Sequence, residues 1–258
     1  MPSVNRKQLD NLSKLINGIS TNAKAGLVAE LKTIDIRDLN KVLEVMNRWC
    51  GIATDAAAIA NSEWYKLVRA QFVDEAYEPT RESGRIEEAT IEATKAAYGS
   101  SKGNAARLHA ALAQRLDYEV RRAAGDNTFI NGQKDGRVKK YARVPSGAET
   151  CRFCLMLASR GFVYDNELQA GALDHYHASC DCRIVPSWGL NGHVRGYDPN
   201  ELYNKWSTLM RQDAEAAAKR NGTSVEDEEL RQRKALADSA RRAKIRAKLR
   251  EQQRKRSN

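Results

Sequence analysis

With 258 residues, 41% of them hydrophobic and 29% charged, the chain is long enough to bury a core as one large domain or two smaller ones and reads as soluble. No run of about 18 apolar residues occurs, which argues against a membrane span, and the polar opening MPSVNRKQLDNLSK is unlike a secretory signal. The formal net charge is +10 and lies at one end: twelve Lys and Arg against two acids follow from Arg231, whereas the 31 basic and 31 acidic residues before it cancel. A basic arm therefore follows a neutral body.

In chain order, Leu9, Leu12, Leu15, Ile16 and Ile19 recur at helical spacing until Gly18 and the ISTN segment interrupt, and a second short helix is expected over 25–31. From Asp38 a longer pattern runs through Leu43, Met46, Trp49, Ala53, Trp64 and Phe72, one helix with a bend expected at Gly51. Its middle, TDAAAIANS, leaves room for a neighbouring helix. Glu78-Pro79-Thr80 breaks the pattern, which resumes over 86–98 and 105–124 on either side of the GSSKGN turn. Beyond Gly125 the texture changes to glycines and turn formers, so short strands and hairpins are expected, among them 140–144, 162–164 and 183–185, with a short helix over 153–159. Asp198-Pro199 marks a helix start, with aspartate as N-cap and proline at the first position, and Asn221-Gly222 marks its end. Its apolar face carries Leu202, Trp206, Leu209 and Met210. Ser224 and Asp227 then resemble a capping box for a last, basic helix to about residue 256. The expected fold class is α+β, predominantly helical. An N-terminal helical bundle or stalk occupies 1–124, a small Cys/His-stapled α+β subdomain 125–195, and C-terminal helices 196–258, with the basic arm at 231–258.

Chemistry is concentrated between Tyr141 and Trp188, which hold four of the five cysteines and two of the four histidines. Cys151 and Cys154 form a C-x-x-C pair; 25 residues later come Cys180 and Cys182, with His177 three positions before Cys180 and His175 two before that. Two short chelating pairs joined by a segment long enough to fold back suit one tetrahedral zinc ion. Cys151, Cys154, His177, Cys180 and Cys182 are the candidate ligands, four of which a structural zinc would take. In a reducing compartment such a cluster favours metal over disulfides. Disulfides formed after lysis, a bare thiol cluster and a redox role for the C-x-x-C pair stand as alternatives, although no thioredoxin-like frame surrounds that pair. Cys50, beside Trp49 in an apolar pattern, reads as a core residue, and His109 as a lone structural one.

The wording RVPSGAETCRFCLMLASRGFVY followed by HYHASCDCRIVP resembles the C-terminal region of the phage Mu F-type minor capsid, or head-morphogenesis, proteins of tailed phages and prophages, especially their actinobacterial-phage variants. The resemblance is close over about 50 residues. It implies a low-copy head protein that associates with portal and capsid proteins and resides in the virion, in the head interior or at the portal vertex, after assembly in the host cytoplasm. Some relatives are called capsid maturation proteases, which supplies the alternative enzymatic reading. Ser146, Ser159, Ser179, His175, His177 and His193 make a catalytic dyad arithmetically possible, but no G-x-S-x-G elbow or H-E-x-x-H helix is present. No enzymatic step is assigned. A zinc-dependent nucleic-acid-binding protein outside any virion is the third reading.

The arm has its own candidates: Arg241, Arg242, Lys244, Arg246, Lys248, Arg250, Arg254, Lys255 and Arg256. Such cations displace condensed counterions from packaged double-stranded DNA and bind without sequence preference. No aromatic residue lies among them, so base stacking is not expected. An acidic surface of portal, scaffold or capsid is the other partner considered, and a solvated helix without a partner the plain alternative.

Overall fold

The computed structural model describes residues 3–147, 150–165 and 182–238. Helices dominate, in the order α1 (Arg6–Leu31), α2 (Leu39–Arg69), α3 (Glu87–Ser101), α4 (Ala105–Asp135), β1 (Lys140–Pro145), α5 (Arg152–Ala158), β2 (Cys182–Ser187) and α6 (Pro199–Asn221), followed by a helical stretch at 225–238. The α+β, predominantly helical class is as expected. Among the described residues no helix is long and apolar enough to cross a membrane.

Helices α1, α2 and α4 form a bundle, with α3 laid against α2 and α4. Leu9, Ile16 and Leu27 from α1 meet Val42, Met46 and Ala53 from α2 and Leu112, Leu116 and Val120 from α4 in one core. Close approach depends on small residues. Ala53, Ala57 and Ala58 of the Ala-rich stretch are buried, and a Cβ at Gly26 would come within 2.1 Å of the Trp49 ring. The starts of α1, α2 and α4 are capped by side chains: Asn5, Asp38 and Asn104 each accept a backbone N–H from the first turn.

Two helix boundaries differ from expectation, both through buried polar contacts. The expected break at Gly18 does not occur, and α1 is continuous. Gly18 faces open space, while Ser20 turns inward to donate to Asp117, so the buried face continues through the polar ISTN segment. Likewise α4 runs to Asp135, past the expected end at residue 124, and almost every residue from Leu116 to Gly132 is buried. Its polar side chains are bonded to one another and to neighbours. Arg121 clasps Asp117 at 3.0 Å and Asn17 at 3.0 Å, and Arg122 lies between Glu119 and Asp126. Asn127 donates to the carbonyls of Thr80 and Glu82, both at 2.9 Å, and Asn131 accepts from the Thr80 N–H at 2.8 Å. These amides tie the irregular segment 74–85 to α4 through the backbone of Thr80 and Glu82.

The antiparallel pair β1 and β2 is in register Arg143 to Ile184 and Pro145 to Cys182. Both its faces are covered, so burial does not alternate along either strand. Ala142, Val144 and Val185 join the bundle core, whereas Tyr141, Cys182 and Ile184 join a second cluster with α5. The expected strand at 162–164 is a single bridge, Tyr141 to Tyr164. A further bridge, parallel, joins Val4 to Val194 and fastens the start of the chain to the segment after β2.

Helix α6 starts as expected, Asp198 accepting from the Asn200 N–H at 2.8 Å with Pro199 at its first position, and ends at Gly222 with φ 66°. It packs on α5, assisted by an Arg152 to Asp213 ion pair. Its buried residues are Ala214 and Ala218, while Leu202, Trp206, Leu209 and Met210 are only half-buried. Ser224 caps the final stretch by accepting from the Asp227 N–H at 3.0 Å.

Candidate metal centre

Cys151 is the N-cap of α5: its Sγ accepts the Cys154 backbone N–H at 3.3 Å, the place that Asn or Asp fills in α1, α2, α4 and α6. Cys154 follows in the first turn and is fully buried. Cys182 opens β2 opposite Pro145 and is also buried. All three thiols belong to one packed cluster with Phe129, Tyr141, Leu157, Tyr164 and Ile184. The fold therefore brings the C-x-x-C pair and the later Cys182 into a common environment, across 27 intervening residues between Cys154 and Cys182. The remaining candidates, His177 and Cys180, and also His175, lie outside the described residues. Among the described residues, no three His, Cys, Asp or Glu side chains are grouped so as to hold a metal ion by themselves.

Cys50 lies elsewhere, in the bundle core, where burial pushes its thiol up to about 12. It behaves as an inert apolar residue.

Arg143 is the residue that sequence reading passed over. It is the largest fully buried side chain, and its Nη2 donates toward Cys154 Sγ at 4.0 Å. Nearby Tyr164 has its phenol pushed up to about 12, chiefly by burial, with Arg160 and Arg143 pulling it down. The neutral phenol donates to the Leu157 carbonyl at 2.6 Å, holding the end of α5. On the opposite face of the hairpin, Arg183 donates to Ser13 at 3.1 Å, and Ser13 donates to Ser146 at 2.6 Å. A signal for Arg143 exists in hindsight: Tyr-Ala-Arg-Val places it between apolar residues of both parities, as in a strand covered on both sides.

The other candidates are dispersed. Ser146 is engaged with Ser13, Ser159 donates to the Met156 carbonyl at 2.9 Å, and Ser179 lies outside the described residues. His193 lends its carbonyl to the Val4 N–H at 2.9 Å. His109 sits on α4, where burial, and then the charge of Lys32, lower its imidazole pKa. All nine arm cations from Arg241 to Arg256 also lie outside the described residues. Chemically, a backbone N–H directed at the half-buried Cys151 sulfur and a guanidinium directed at the buried Cys154 sulfur are donors suited to thiolates.

These features define a class: a helical bundle closed by a doubly covered hairpin, with a cysteine-capped helix laid on the hairpin's outer face. A family model described as VG15 protein matches residues 3–209, and the chain belongs to that family. It is also similar to the Gene 15 protein of Mycobacterium phage D29, at 36% identity over a match that takes in 19% of this chain and 28% of that protein. The chain thus matches little more than a quarter of that curated relative's length. No solved structure matches. Together these findings make it a phage-related protein.

Proposed function

We propose that the chain is a minor capsid or head-morphogenesis protein of a tailed phage or prophage, Mu F-like in its cysteine-bearing region, that associates with the portal or inner capsid. Its place is the virion, in the head interior or at the portal vertex. The family match and the phage relative support the setting. The carrying observation for mechanism is the burial of Cys154 and Cys182 within packing, where a thiol serves as a staple and meets no substrate.

On this reading a structural zinc takes four of Cys151, Cys154, His177, Cys180 and Cys182. What supports this reading is that Cys151, Cys154 and Cys182 are soft donors in one packed cluster and that N–H groups are directed at two of the sulfurs. Zinc would cross-link α5 to β2 and so fix the surface presented to a partner. The basic arm then contacts packaged DNA without sequence preference.

The test is metal content per chain in protein purified without chelator, with unfolding followed before and after chelation, and co-purification with the cognate portal protein. About one zinc per chain, a large loss of stability on chelation and retention by the portal are the expected results. Metal-free protein whose Ser146→Ala, Ser159→Ala or Ser179→Ala variant blocks cleavage of head proteins would put the maturation-protease reading in its place.

A further inference from the structure

Helix α2 is apolar on two sides. Val42, Met46, Ala53, Trp64 and Val68 line the core, yet Ile52 stands 58% exposed, Ile59 44% and Leu67 60%. Seven and eight residues apart, these three share one outward face at intervals of about two turns. On α1, Leu15 is 58% exposed. Two contacts set the helices antiparallel and side by side: Gln71 Nε2 donates to Gln8 Oε1 at 2.8 Å, and Trp49 Nε1 donates to Glu30 Oε2 at 2.8 Å. Counted from either contact, Leu15 is level with Trp64 and so within one turn of Leu67. Ile19 is level with Ala60, and both, half-buried, lie along the seam between the helices.

Single exposed apolar side chains are ordinary, whereas a run of them across adjoining helices marks a contact surface. Isoleucine at an uncovered helix position has neither packing nor helix propensity in its favour. The α1 side of the seam is uncharged, with Asn11, Gly18 and Asn22 around Leu15, and Gly18 meets open space. On α2, the charged residues between Trp49 and Tyr65 are Asp55 and Glu63, both acids. Glu63 is met by Arg81 at 3.4 Å. Asp55, one turn from both Ile52 and Ile59, is exposed and has no ion-pair partner among the described residues. This charge pattern selects the occupant. A second copy laid antiparallel along α2 with Ile52 on Ile59 would bring the two Asp55 carboxylates together. Centred on Ile59 it would set Asp55 against Glu63, and with Ile59 on Leu67 it would set Glu63 against Glu63. Each register that matches apolar to apolar opposes acid to acid, which suppresses pairing; a partner with a basic flank meets the same acids favourably.

We propose that the α1–α2 face around Leu15, Ile52, Ile59 and Leu67 is a docking surface for an amphipathic helix of the portal protein, one with an apolar seam and a basic flank. This rests on the portal association proposed above and is independent of any metal. The apolar seam seats on Ile52, Ile59 and Leu67, and the small side chains of Gly18, Ala56 and Ala60 let the incoming helix approach closely. A Lys or Arg of its flank reaches Asp55 and fixes which way the helix lies.

The experiment titrates the 258-residue chain against the cognate portal protein and follows sedimentation of the chain alone. Wild type is retained by the portal. Ile52→Ser combined with Ile59→Ser loses about 10- to 100-fold in affinity at low and high salt alike, and its unfolding midpoint stays with wild type, since both side chains are exposed. Asp55→Lys loses more than Asp55→Asn, and the difference shrinks as salt rises. Leu230→Ser, which removes an exposed leucine outside the bundle, leaves retention unchanged. Wild type and all variants retained alike would overturn the docking surface and leave the portal association standing. Stronger retention of Asp55→Lys than of wild type would overturn the basic flank. A wild-type dimer that the double serine variant renders monomeric would make a second copy the occupant and overturn the proposal. Portal protein that fails to retain wild type removes the association and this surface together, before any variant is made. If the double variant fails to fold, Leu67→Ser and Asp55→Lys carry the same comparison.

Discussion

At the scale of single residues, Asp135 shows how tightly the end of α4 is tied. Its Oδ2 accepts from the Tyr65 hydroxyl at 3.1 Å and from Trp188 Nε1 at 2.7 Å, while Oδ1 receives Arg69 at 2.9 Å. Burial first, then the charge of Asp135, pushes the Tyr65 phenol up, which keeps it a donor. The Trp188 ring stacks on Phe72 with centroids 5.2 Å apart. Asp135→Ala would leave the Arg69 guanidinium, only 4% exposed, without its buried carboxylate and with only the exposed Glu75 at 4.0 Å. We expect a loss of about 3–5 kcal/mol in urea unfolding; a loss below about 1 kcal/mol, as for an exposed pair, would show that the cluster is not a unit. Cys50, by contrast, should resist alkylation at pH 8 in the folded protein, its thiol being pushed up to about 12, and should react on unfolding. Much at this scale could be read in advance. Asp198-Pro199 announces a helix start through local chemistry, and the C-x-x-C pair announces itself by spacing. Arg143 does not, because its meaning depends on a hairpin being covered on both faces, and coverage is a tertiary fact.

Elements were legible where one apolar stripe defines them. Helix α2 carries such a stripe from Val42 to Val68 and was expected almost as observed. The second half of α4 was not, since Gly125-Asp-Asn-Thr carries the composition of a turn, and only the backbone of 80–84 and the Asn61 amide make those side chains worth burying. The pairing of α6 with 225–238 yields a prediction of its own. Glu228 accepts from Asn221 at 3.0 Å, Thr223 at 2.7 Å and Arg231 at 2.8 Å. The hydrogen bonds from Asn221 and Thr223 are the main cause of a carboxyl pKa below its ordinary 4.5. A depressed carboxyl stabilises above its unfolded value and loses that contribution as pH falls through the folded one. Amide protection within 221–231, corrected for the intrinsic exchange rate at each pH, should therefore fall below about pH 4.5, and Glu228→Gln should flatten this dependence. Unchanged acid sensitivity in Glu228→Gln would assign it to another group.

Over the whole molecule, the sequence charge is divided between a neutral body and a basic end, and the division makes a test simple. The 258-residue chain should bind duplex DNA with an affinity that falls roughly 10³-fold or more between about 50 and about 200 mM salt, whereas a chain ending at residue 238 should bind weakly at both. Binding by the shortened chain that persisted at high salt, or disappeared on Cys154→Ser, would move recognition to the cysteine centre and favour the zinc-dependent nucleic-acid reading. Fluorescence anisotropy with unrelated duplexes distinguishes these outcomes. The cluster's two ends and the arm's charge are legible as text; how the centre meets the bundle is not, because the meeting runs through Arg143, Arg183 and Ser13, none of which stands out along the chain.

The bridge between Val4 and Val194 also bears on how the chain comes off the ribosome. The partner that settles the first residues is made some 190 residues after them, a wait of roughly 10–40 s at ordinary bacterial elongation rates. Until then Ala142 and Val144 have no β2 to complete their sheet, and the bundle surface beneath them stays wet. Helices can form early, but closure waits for the segment 182–194. A nascent chain arrested at residue 150 should accordingly be cut by protease near Val4 and within 74–85, while one released after residue 200 should be protected at the first of these sites.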